Sequence, residues 1–311
     1  MTGEARVSLL PDGRRLHLQH GPIDIVTQAY GDTEPCRRAY RQAAERFRTI
    51  LAELVQELAL LRQPMVDGGI PVGGVVARRM AAAVWPHRTV FITPMAAVAG
   101  AVADEVLAAM LRGQTLAKAY VNNGGDIAWH VAPGERLRAG IVANHDLPAI
   151  DAMVELHHGM PVRGLATSGW RGRSRSLGIA DAVTVLAATA AEADAAATLI
   201  ANAVDCDHPA IRRAPASLLH DDTDLGELPV TVQVGRLPER LVDEALERGA
   251  ARAEAMREAG LIYAASLVLQ GRNRVVQPAM PWRAAMAVGS SHHQSLQQGR
   301  TPCSIAEASW R

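Results

Sequence analysis

Two short segments rich in small residues place the strongest constraint on how this chain can fold. Residues 93–104 read TPMAAVAGAVAD, and residues 121–127 read VNNGGDI. Small side chains in the first segment allow another backbone or a flat ligand to approach closely. Gly124 and Gly125 can adopt positive φ and leave backbone amides open to an anion or a carbonyl oxygen. The second segment is therefore either a ligand cradle or only a hairpin turn.

Short polar side chains flank these two glycines. Asn122, Asn123 and Asp126 can each bond nearby backbone or a ligand. We predict that Asn122, Asn123, Gly124 and Gly125 contribute to a ligand or cofactor site. Asp126 is a candidate catalytic residue of the same site.

Charge and hydropathy exclude several classes of partner. Lys plus Arg and Asp plus Glu number 32 each, so net charge does not attract nucleic acid or an anionic membrane. The N-terminus carries charges and has no apolar run long enough for a signal peptide, so we expect a cytoplasmic protein. The apolar run at 90–110 is interrupted by Pro94, Asp104 and Glu105, which argues against a membrane span. Three scattered cysteines indicate neither a disulfide framework nor a metal-thiolate cluster.

Hydrophobic periodicity predicts an alternation of helices and short strands. Helices are expected over about 32–62, 75–85, 96–111, 190–204 and a segment ending near 259. Strands are expected over 90–93, 165–170, 183–187, 230–234 and 262–270, with two more within 7–30 joined by a turn at 11–13. Segments 120–127, 128–132 and 137–143 should form strands of one antiparallel sheet. This pattern is typical of an α+β protein.

Three further positions are site candidates. Asp24 sits among apolar neighbours, and a buried aspartate needs a partner, so it either caps backbone amides or belongs to the site. Residues 171–176 read RGRSRS, and Arg171 and Arg173 can bind phosphate or carboxylate unless the segment is a solvated loop. His157 and His158 point to opposite faces of a strand, so at most one serves a given site. We keep Asp24 and His158 as catalytic candidates.

One helix carries a pattern that suits a metal ion. Asp194, Thr198 and Asn202 lie four residues apart along one face of the helix predicted at 190–204. A carboxylate and a hydroxyl one turn apart, joined by a carbonyl from another segment, can bind Mg²⁺. The alternative is that these residues form an ordinary helix face.

Four motifs, taken in order, resemble the ApbE-like superfamily, to which the FAD-dependent protein flavin transferases belong. They are an Ala-Gly-x-x-x-Asp helix start at 99–104, a Gly-Gly-Asp at 124–126, a Thr-Ser-Gly at 167–169 and an Asp-Ala-x-x-Thr at 194–198. A closer resemblance is to an uncharacterised ApbE-like branch found in methanogens and proteobacteria. It covers about residues 7–276 and is carried by GPID at 21–24, TPMAAVAG at 93–100 and ANAVD at 201–205.

The resemblance implies an α+β fold related to the T-fold, in which helices cover antiparallel sheets. We expect a single domain over residues 1–277, followed by an extended or disordered tail at 278–311. Ala-rich helices that would otherwise be exposed also lead us to expect a homodimer.

The resemblance also assigns ligand-binding roles. It implies Mg²⁺ held by the backbone carbonyl of Ala166 and by the side chains of Asp194 and Thr198. Thr167 and Ser168 would bind the linker of FAD or another nucleotide.

Two departures from the flavin transferase pattern favour another reaction. Ala99 stands where the flavin transferases carry a lysine. They also carry a histidine-containing stretch between the Thr-Ser-Gly motif and the metal helix, whereas residues 171–182 of this chain contain no histidine. We therefore predict a metal-dependent enzyme that transfers or hydrolyses part of a nucleotide-like or other anionic small molecule. One alternative is an FAD:protein FMN transferase with altered catalytic residues. Another is a non-catalytic flavin or metabolite binder in sulfur or one-carbon metabolism.

Overall fold

The structure is a computed structural model that describes residues 3–141, 152–172, 174–219 and 222–277. The tail predicted at 278–311 and the candidate Arg173 lie outside the described residues.

Helices and strands alternate along the described part of the chain. The helices are α1 Thr33–Gln56, α2 Leu58–Leu61, α3 Val75–Val84, α4 Val98–Leu111, α5 Ala190–Ala203 and α6 Glu239–Glu258. The first strands are β1 Arg6–Leu9, β2 Leu16–His20, β3 Ile23–Tyr30, β4 Lys118–Asn123, β5 Asp126–Val131, β6 Arg136–Ile141 and β7 Ala152–His157. The later strands are β8 Gly164–Ser168, β9 Ala182–Ala187, β10 Ile211–Pro215, β11 Pro229–Val234, β12 Ala264–Leu269 and β13 Arg272–Val276.

Nine strands form the main sheet in the order β1-β2-β3-β4-β5-β8-β9-β12-β13. All its neighbouring strands run antiparallel. Two small antiparallel sheets are formed by β6 with β7 and by β10 with β11. The predicted α+β class with antiparallel sheets and covering helices is confirmed.

Four helices cover one face of the main sheet. Each contacts a pair of adjacent strands: α1 lies on β2 and β3, α4 on β4 and β5, α5 on β8 and β9, and α6 on β12 and β13. The amphipathic face of α1 buries Phe47 and Ile50 completely, and each such side chain contributes about 2 kcal/mol of hydrophobic free energy. The main core therefore lies between the helices and this inner face of the sheet.

The β6–β7 hairpin covers part of the other face of the sheet. A second core there contains Trp129, Leu156 and Leu165, and all three side chains are buried. Beyond this hairpin, towards β1, the outer face carries partly exposed side chains. Inner and outer faces of the sheet are thus both occupied near β5 and β8, but only the inner face is covered near β2 and β3.

Three strand predictions were wrong. Residues 90–93 form a bend followed by irregular chain: Val90 donates to His87, and Ile92 accepts a single hydrogen bond from Met65 instead of joining a ladder. Three strands, not two, occupy the first 30 residues. Strand β6 pairs only with β7 among the described strands and does not join the sheet of β4 and β5.

Helices α4 and α5 meet at their first turns without intervening side chains. A Cβ atom built on Gly100 would lie 2.2 Å from the backbone oxygen of Ala190, so only glycine fits there. The Asp104 carboxylate of α4 accepts hydrogen bonds from the amides of Ala190 (3.1 Å) and Ala191 (3.0 Å) at the start of α5. Thr189 and Glu192 complete a capping box at the same end of α5.

The reverse contact also exists. The Asp194 carboxylate of α5 accepts hydrogen bonds from the amides of Ala99 and Gly100 in the first turn of α4, the latter at 3.1 Å. Each helix therefore satisfies free amides of the other with one aspartate, and each aspartate sits near the positive end of the other helix dipole.

The segment Pro94–Leu111 is apolar and long enough to cross a membrane by length and composition. In this fold 61% of it is buried inside the protein. Helix α4 contacts α1, α3, α5, β4 and β5, which accounts for its apolar composition as that of a central core helix.

Replacing Asp104 with asparagine should change the pH dependence of stability. Burial raises the pKa of Asp104 to about 6, so its contribution to stability is complete below about pH 4 and is lost as the pH rises to about 6. Near pH 4 both proteins should melt alike; by pH 7 Asp104→Asn should be the more stable by about 3 kcal/mol. Thermal melts from pH 4 to 7 test this, and a constant difference between the two proteins would contradict it.

Candidate functional site

A cleft of about 690 Å³ opens at one end of the main sheet. It lies where β3, the β4–β5 turn, the end of β8 and the first turns of α4 and α5 meet. Its lining residues are Asp24, Val26, Ala99, Asn122, Asn123, Gly124, Gly125, Asp126, Thr167, Ser168, Gly169, Arg171, Gly172, Ser174 and Asp194. Most candidates predicted from the sequence therefore lie in one cleft.

The turn between β4 and β5 divides the cleft into two parts. Asn123 and Asp126 point to the helix side, whereas Asn122 points to the outer face, because side chains alternate along a strand. Gly124 and Gly125 form the turn with φ values of 65° and 115°. A Cβ atom on Gly125 would meet nothing within 4 Å, so bare backbone separates the two parts of the cleft.

The turn is built by its own asparagines. The Asn122 Oδ1 atom accepts a hydrogen bond from the Gly125 amide at 2.9 Å. The prediction that this amide is open to a ligand was therefore wrong. The Asn123 side chain donates to the carbonyl oxygen of Ala99 at 3.0 Å and ties the hairpin to the start of α4. The segment is therefore a hairpin turn that also lines a cleft, which unites both sequence interpretations.

Two carboxyl groups meet in the inner part of the cleft. The carboxyl groups of Asp126 and Asp194 are hydrogen-bonded to each other, which requires that the pair hold a proton. Burial, and secondarily the neighbouring Asp126, raise the pKa of Asp194 well above its usual value. The Asp126 Oδ1 atom also accepts a hydrogen bond from the Thr167 amide at 3.2 Å. The pair is thus fixed by β8 on one side and by α4 on the other.

The end of β8 contributes hydroxyl groups. The Thr167 hydroxyl bonds the Thr184 hydroxyl of β9 at 2.9 Å. Ser168 follows and lines the cleft, as does Gly169. A Cβ atom on Gly169 would lie 2.5 Å from the carbonyl oxygen of Asp181, so glycine is required for the turn after β8 to pack against the segment before β9.

Arg171 is held at the rim of the cleft. Its Nε atom donates to Asp181 Oδ1 at 2.7 Å, and its guanidinium carbon lies 4.6 Å from the centre of the Trp170 ring. Asp181 also accepts hydrogen bonds from the Trp170 indole and from the Gln270 amide. The sequence did not identify Asp181 as a positioning residue, because nothing in its spacing from Arg171 indicates the contact.

The metal candidates are only partly brought together. Asp194 lines the cleft, whereas Thr198 and Ala166 do not appear among the described lining residues. Thr198 lies one helical turn after Asp194, and Ala166 directly precedes Thr167 in β8. Asn202, one turn further along α5, accepts hydrogen bonds from the Ser176 hydroxyl and the Leu177 amide and has a structural role.

Asp24 and His158 lie in different environments. Asp24 lines the outer part of the cleft, and its side chain is 51% exposed, so the expectation that it is buried was wrong. Its position on the outer face of β3, near the uncovered edge of the sheet, explains the exposure. His158 bonds the carbonyl oxygen of Val131, at the opposite end of β5 from Asp126, about 17 Å away by strand rise. The structure therefore separates His158 from the cleft.

The donor set fits a divalent cation in one respect. The carboxyl groups of Asp126 and Asp194 meet at one point, and carboxylate oxygens are ligands that Mg²⁺ prefers. The described residues contain no group of three or more His, Cys, Asp or Glu side chains that could hold a metal. A cation at this pair would need carbonyl, hydroxyl, water or ligand oxygens to complete its coordination.

A family model described as AbpE bacteria matches residues 7–275. The chain belongs to this family. The matched residues are almost the same as the range of about 7–276 over which the resemblance was predicted. The match confirms that this is an ApbE-like protein. The matched residues include every residue that lines the cleft.

Curated relatives come from methanogens. The UPF0280 protein of Methanothrix thermoacetophila is 36% identical over 163 residues, which are 51% of this chain and 66% of that protein. The UPF0280 protein of Methanopyrus kandleri is 39% identical over 145 residues, which are 45% of this chain and 54% of that protein. The chain thus spans between about half and two thirds of the length of these relatives.

Solved structures of flavin transferases are similar to this family member at low identity. The flavinyl transferase ApbE of Pseudomonas stutzeri, in its apo form, superimposes with a TM-score of 0.47 and 14% identity, covering 89% of this chain and 96% of that one. The flavin transferase ApbE of Vibrio cholerae gives a TM-score of 0.37 and 12% identity, covering 88% and 98%.

Proposed function

We propose that this protein is a divalent-cation-dependent enzyme that binds a nucleotide-like anion in the cleft and cleaves or transfers its phosphate linkage. The observation that carries the proposal is the hydrogen-bonded pair of Asp126 and Asp194. Two carboxylates at one point repel each other unless a proton or a cation lies between them. Membership of an ApbE-like family supports a nucleotide such as FAD as the first ligand to test.

The residues around the pair suit a phosphate bound with Mg²⁺. Asp126 and Asp194 would hold the cation, with Thr198 and the Ala166 carbonyl as further candidate ligands. When bound, Mg²⁺ neutralises negative charge that develops on a phosphoryl oxygen. The Arg171 guanidinium, already oriented by Asp181, supplies a charged hydrogen-bond donor for the same phosphate.

The outer part of the cleft suits the rest of such a ligand. The Asn122 amide nitrogen makes no hydrogen bond with another described residue, and it lines the cleft beside Val26. A volume of about 690 Å³ is that of an ordinary small-molecule pocket. A Cβ atom on Gly125 would meet nothing within 4 Å, so space for a ligand remains beside the turn.

Calorimetric titration with FAD, FMN and ADP, each with and without MgCl₂, tests the proposal. We expect binding of FAD and ADP that depends on Mg²⁺, and FMN and AMP as products when FAD is incubated with the protein. Binding without any product would instead favour a non-catalytic flavin or metabolite binder. If none of these nucleotides binds, a nucleotide function is contradicted.

A second candidate function is FMN transfer from FAD to another protein. The exposure of Asp24 at the mouth favours it, because a protein side chain can reach the cleft from solvent. Mass spectrometry would then detect FMN bound covalently to an added acceptor protein. We also propose a cytoplasmic location, which rests on the sequence. The argument for a homodimer does not hold, because most alanines of α4 and α5 are buried within the chain.

Replacing Arg171 with glutamine should weaken nucleotide binding about tenfold, because one charge-assisted hydrogen bond to phosphate is worth about 1.5 kcal/mol. ADP and FAD should be affected equally, since both present a diphosphate. The matched control is Arg240→Gln, which removes an exposed arginine on α6, outside the cleft. Equal affinities for wild type and Arg171→Gln would remove Arg171 from the site.

A further inference from the structure

An imidazole and a carboxylate stand side by side where the outer part of the cleft opens to solvent. The His17 Nε2 atom of β2 lies 3.1 Å from the Asp24 Oδ1 atom of β3. His17 is paired across the strands with Val26, and both Val26 and Asp24 line the cleft. Cross-strand partners and residues two apart share one face of a sheet. The pair therefore belongs to the cleft side of the outer face.

Asp24 differs from the other two carboxyl groups of the cleft. Asp126 and Asp194 bond each other and accept hydrogen bonds from backbone amides. Among the described residues, Asp24 accepts a side-chain hydrogen bond only from His17, through Oδ1. Its second oxygen, Oδ2, remains able to accept a proton from a molecule in the cleft. The side chains of His17 and Asp24 are 31% and 51% exposed, so water reaches both.

The two acidic centres lie on opposite sides of the Gly124–Gly125 turn. Asp126 and Asp194 are on the helix side, and Asp24 is on the outer face, by strand alternation. A phosphate group bound over the turn would have the candidate cation ligands on one side and Asp24, with His17 behind it, on the other. Hydrolysis at phosphorus needs this combination of charge neutralisation and a base for the attacking water.

We propose that Asp24, with His17 behind it, is the general base that activates water in this cleft, an inference that rests on the proposed function. Asp24 Oδ2 takes one proton from water as the water oxygen forms a bond to phosphorus. The bond from phosphorus to the bridging oxygen breaks, and the leaving phosphate departs with the electron pair. The proton then passes from Asp24 Oδ2 to solvent, while the His17 Nε2–H group donates to Oδ1 and holds the carboxylate in place. With FAD and water the products are FMN and AMP.

The test measures FAD hydrolysis with MgCl₂ present in the wild type, Asp24→Asn and His17→Gln. Chromatography quantifies the products FMN and AMP. Asp24→Asn should lower kcat at least about 100-fold and His17→Gln about tenfold, because a general base contributes about 10²–10⁴-fold. KM, and the Kd for FAD from calorimetry, should stay within about twofold of wild type, since neither side chain is assigned to ligand binding.

Positioning by His17 has its own readout. Free imidazole should restore turnover to His17→Ala, whose lost ring is solvent-accessible, and should leave Asp24→Asn unchanged. Matched controls are His157→Gln and Asp207→Asn, which alter exposed residues outside the cleft lining and should hydrolyse FAD at the wild-type rate. Thermal melts check that all variants fold.

The outcomes separate this proposal from the one it rests on. Wild-type turnover in Asp24→Asn would overturn the acid–base pair and leave the nucleotide function intact. Binding of FAD by the wild type without hydrolysis would also overturn the pair, leaving a binding site. Failure of the wild type to bind any nucleotide with Mg²⁺ would remove the proposed function, and the pair with it.

Discussion

Replacing Asp194 with asparagine should stabilise the cation-free protein and abolish its response to Mg²⁺. Burial and the neighbouring Asp126 raise the pKa of Asp194 well above its usual value. The stability linked to such a group is present at low pH and is lost as the pH rises above the usual aspartate value. Asparagine keeps an oxygen to accept the Gly100 amide but removes the charge. At pH 8 in EDTA we expect the Tm of Asp194→Asn to exceed the wild-type Tm by about 2 °C or more.

The same substitution should remove the cation site. A cation bound to the folded state alone raises Tm by mass action, so MgCl₂ should raise the wild-type Tm at pH 8. Asp194→Asn should show no such rise at the same concentration, and its Mg²⁺-dependent affinity for ADP should fall at least about 100-fold, through loss of a charged ligand. Asp207→Asn, on an exposed loop, is the control. A rise in Tm with MgCl₂ that is equal in both proteins would place the cation elsewhere.

Replacing either Gly100 or Gly164 with alanine should destabilise the fold by about 4 kcal/mol or prevent folding. A Cβ atom on Gly164 would lie 2.1 Å from the Ala190 amide nitrogen, and one on Gly100 would lie 2.2 Å from the Ala190 carbonyl oxygen. These are backbone atoms of the first turn of α5, so relief requires the whole helix to move. We expect Tm to fall by about 10 °C or more, or the protein to be insoluble.

Gly68→Ala is the matched control for these two variants. Its Cβ atom would meet nothing within 4 Å, so the change should alter stability by no more than about 0.5 kcal/mol. Thermal melts and soluble yields of the three variants, expressed side by side, measure the effect. Gly100→Ala and Gly164→Ala with the Tm of Gly68→Ala would show that α5 can move away from α4 and β8 at little cost.

Regular periodicity made most of the fold predictable. The predicted elements appear at or near their expected positions for helices α1, α4 and α5 and for strands β4, β5 and β9. Strand partnership was harder, because alternation reveals a strand but not its neighbour. Strand β6 alternates in the same way as β5, yet it leaves the main sheet and pairs with β7 on the outer face. Residues 90–93 are apolar without forming a strand: Ile92 is buried, whereas Val90 and Phe91 are exposed.

The sequence allowed most residues of the candidate site to be predicted from short motifs, but not the contacts between them. Short motifs located the glycine turn, the hydroxyls at the end of β8 and Asp194. The contact between Asp126 and Asp194 joins distant segments through the docking of α5 on the sheet, which no local pattern encodes. His17 was missed because its partner Asp24 was expected to be buried. The signal was available in the alternation of β2 and β3, which places His17 and Asp24 on one face.

Asp104 of α4 and Asp194 of α5 each accept hydrogen bonds from the start of the other helix, so one residue of the candidate site also stabilises the fold. Asp194 is both a candidate cation ligand and the acceptor for the amides of Ala99 and Gly100. Asp104 makes the matching contact with α5. A descendant that loses its ligand chemistry must still supply an acceptor for the start of α4, but asparagine supplies one without the buried charge. Among relatives, aspartate rather than asparagine at this position is therefore expected to accompany the proposed cation site.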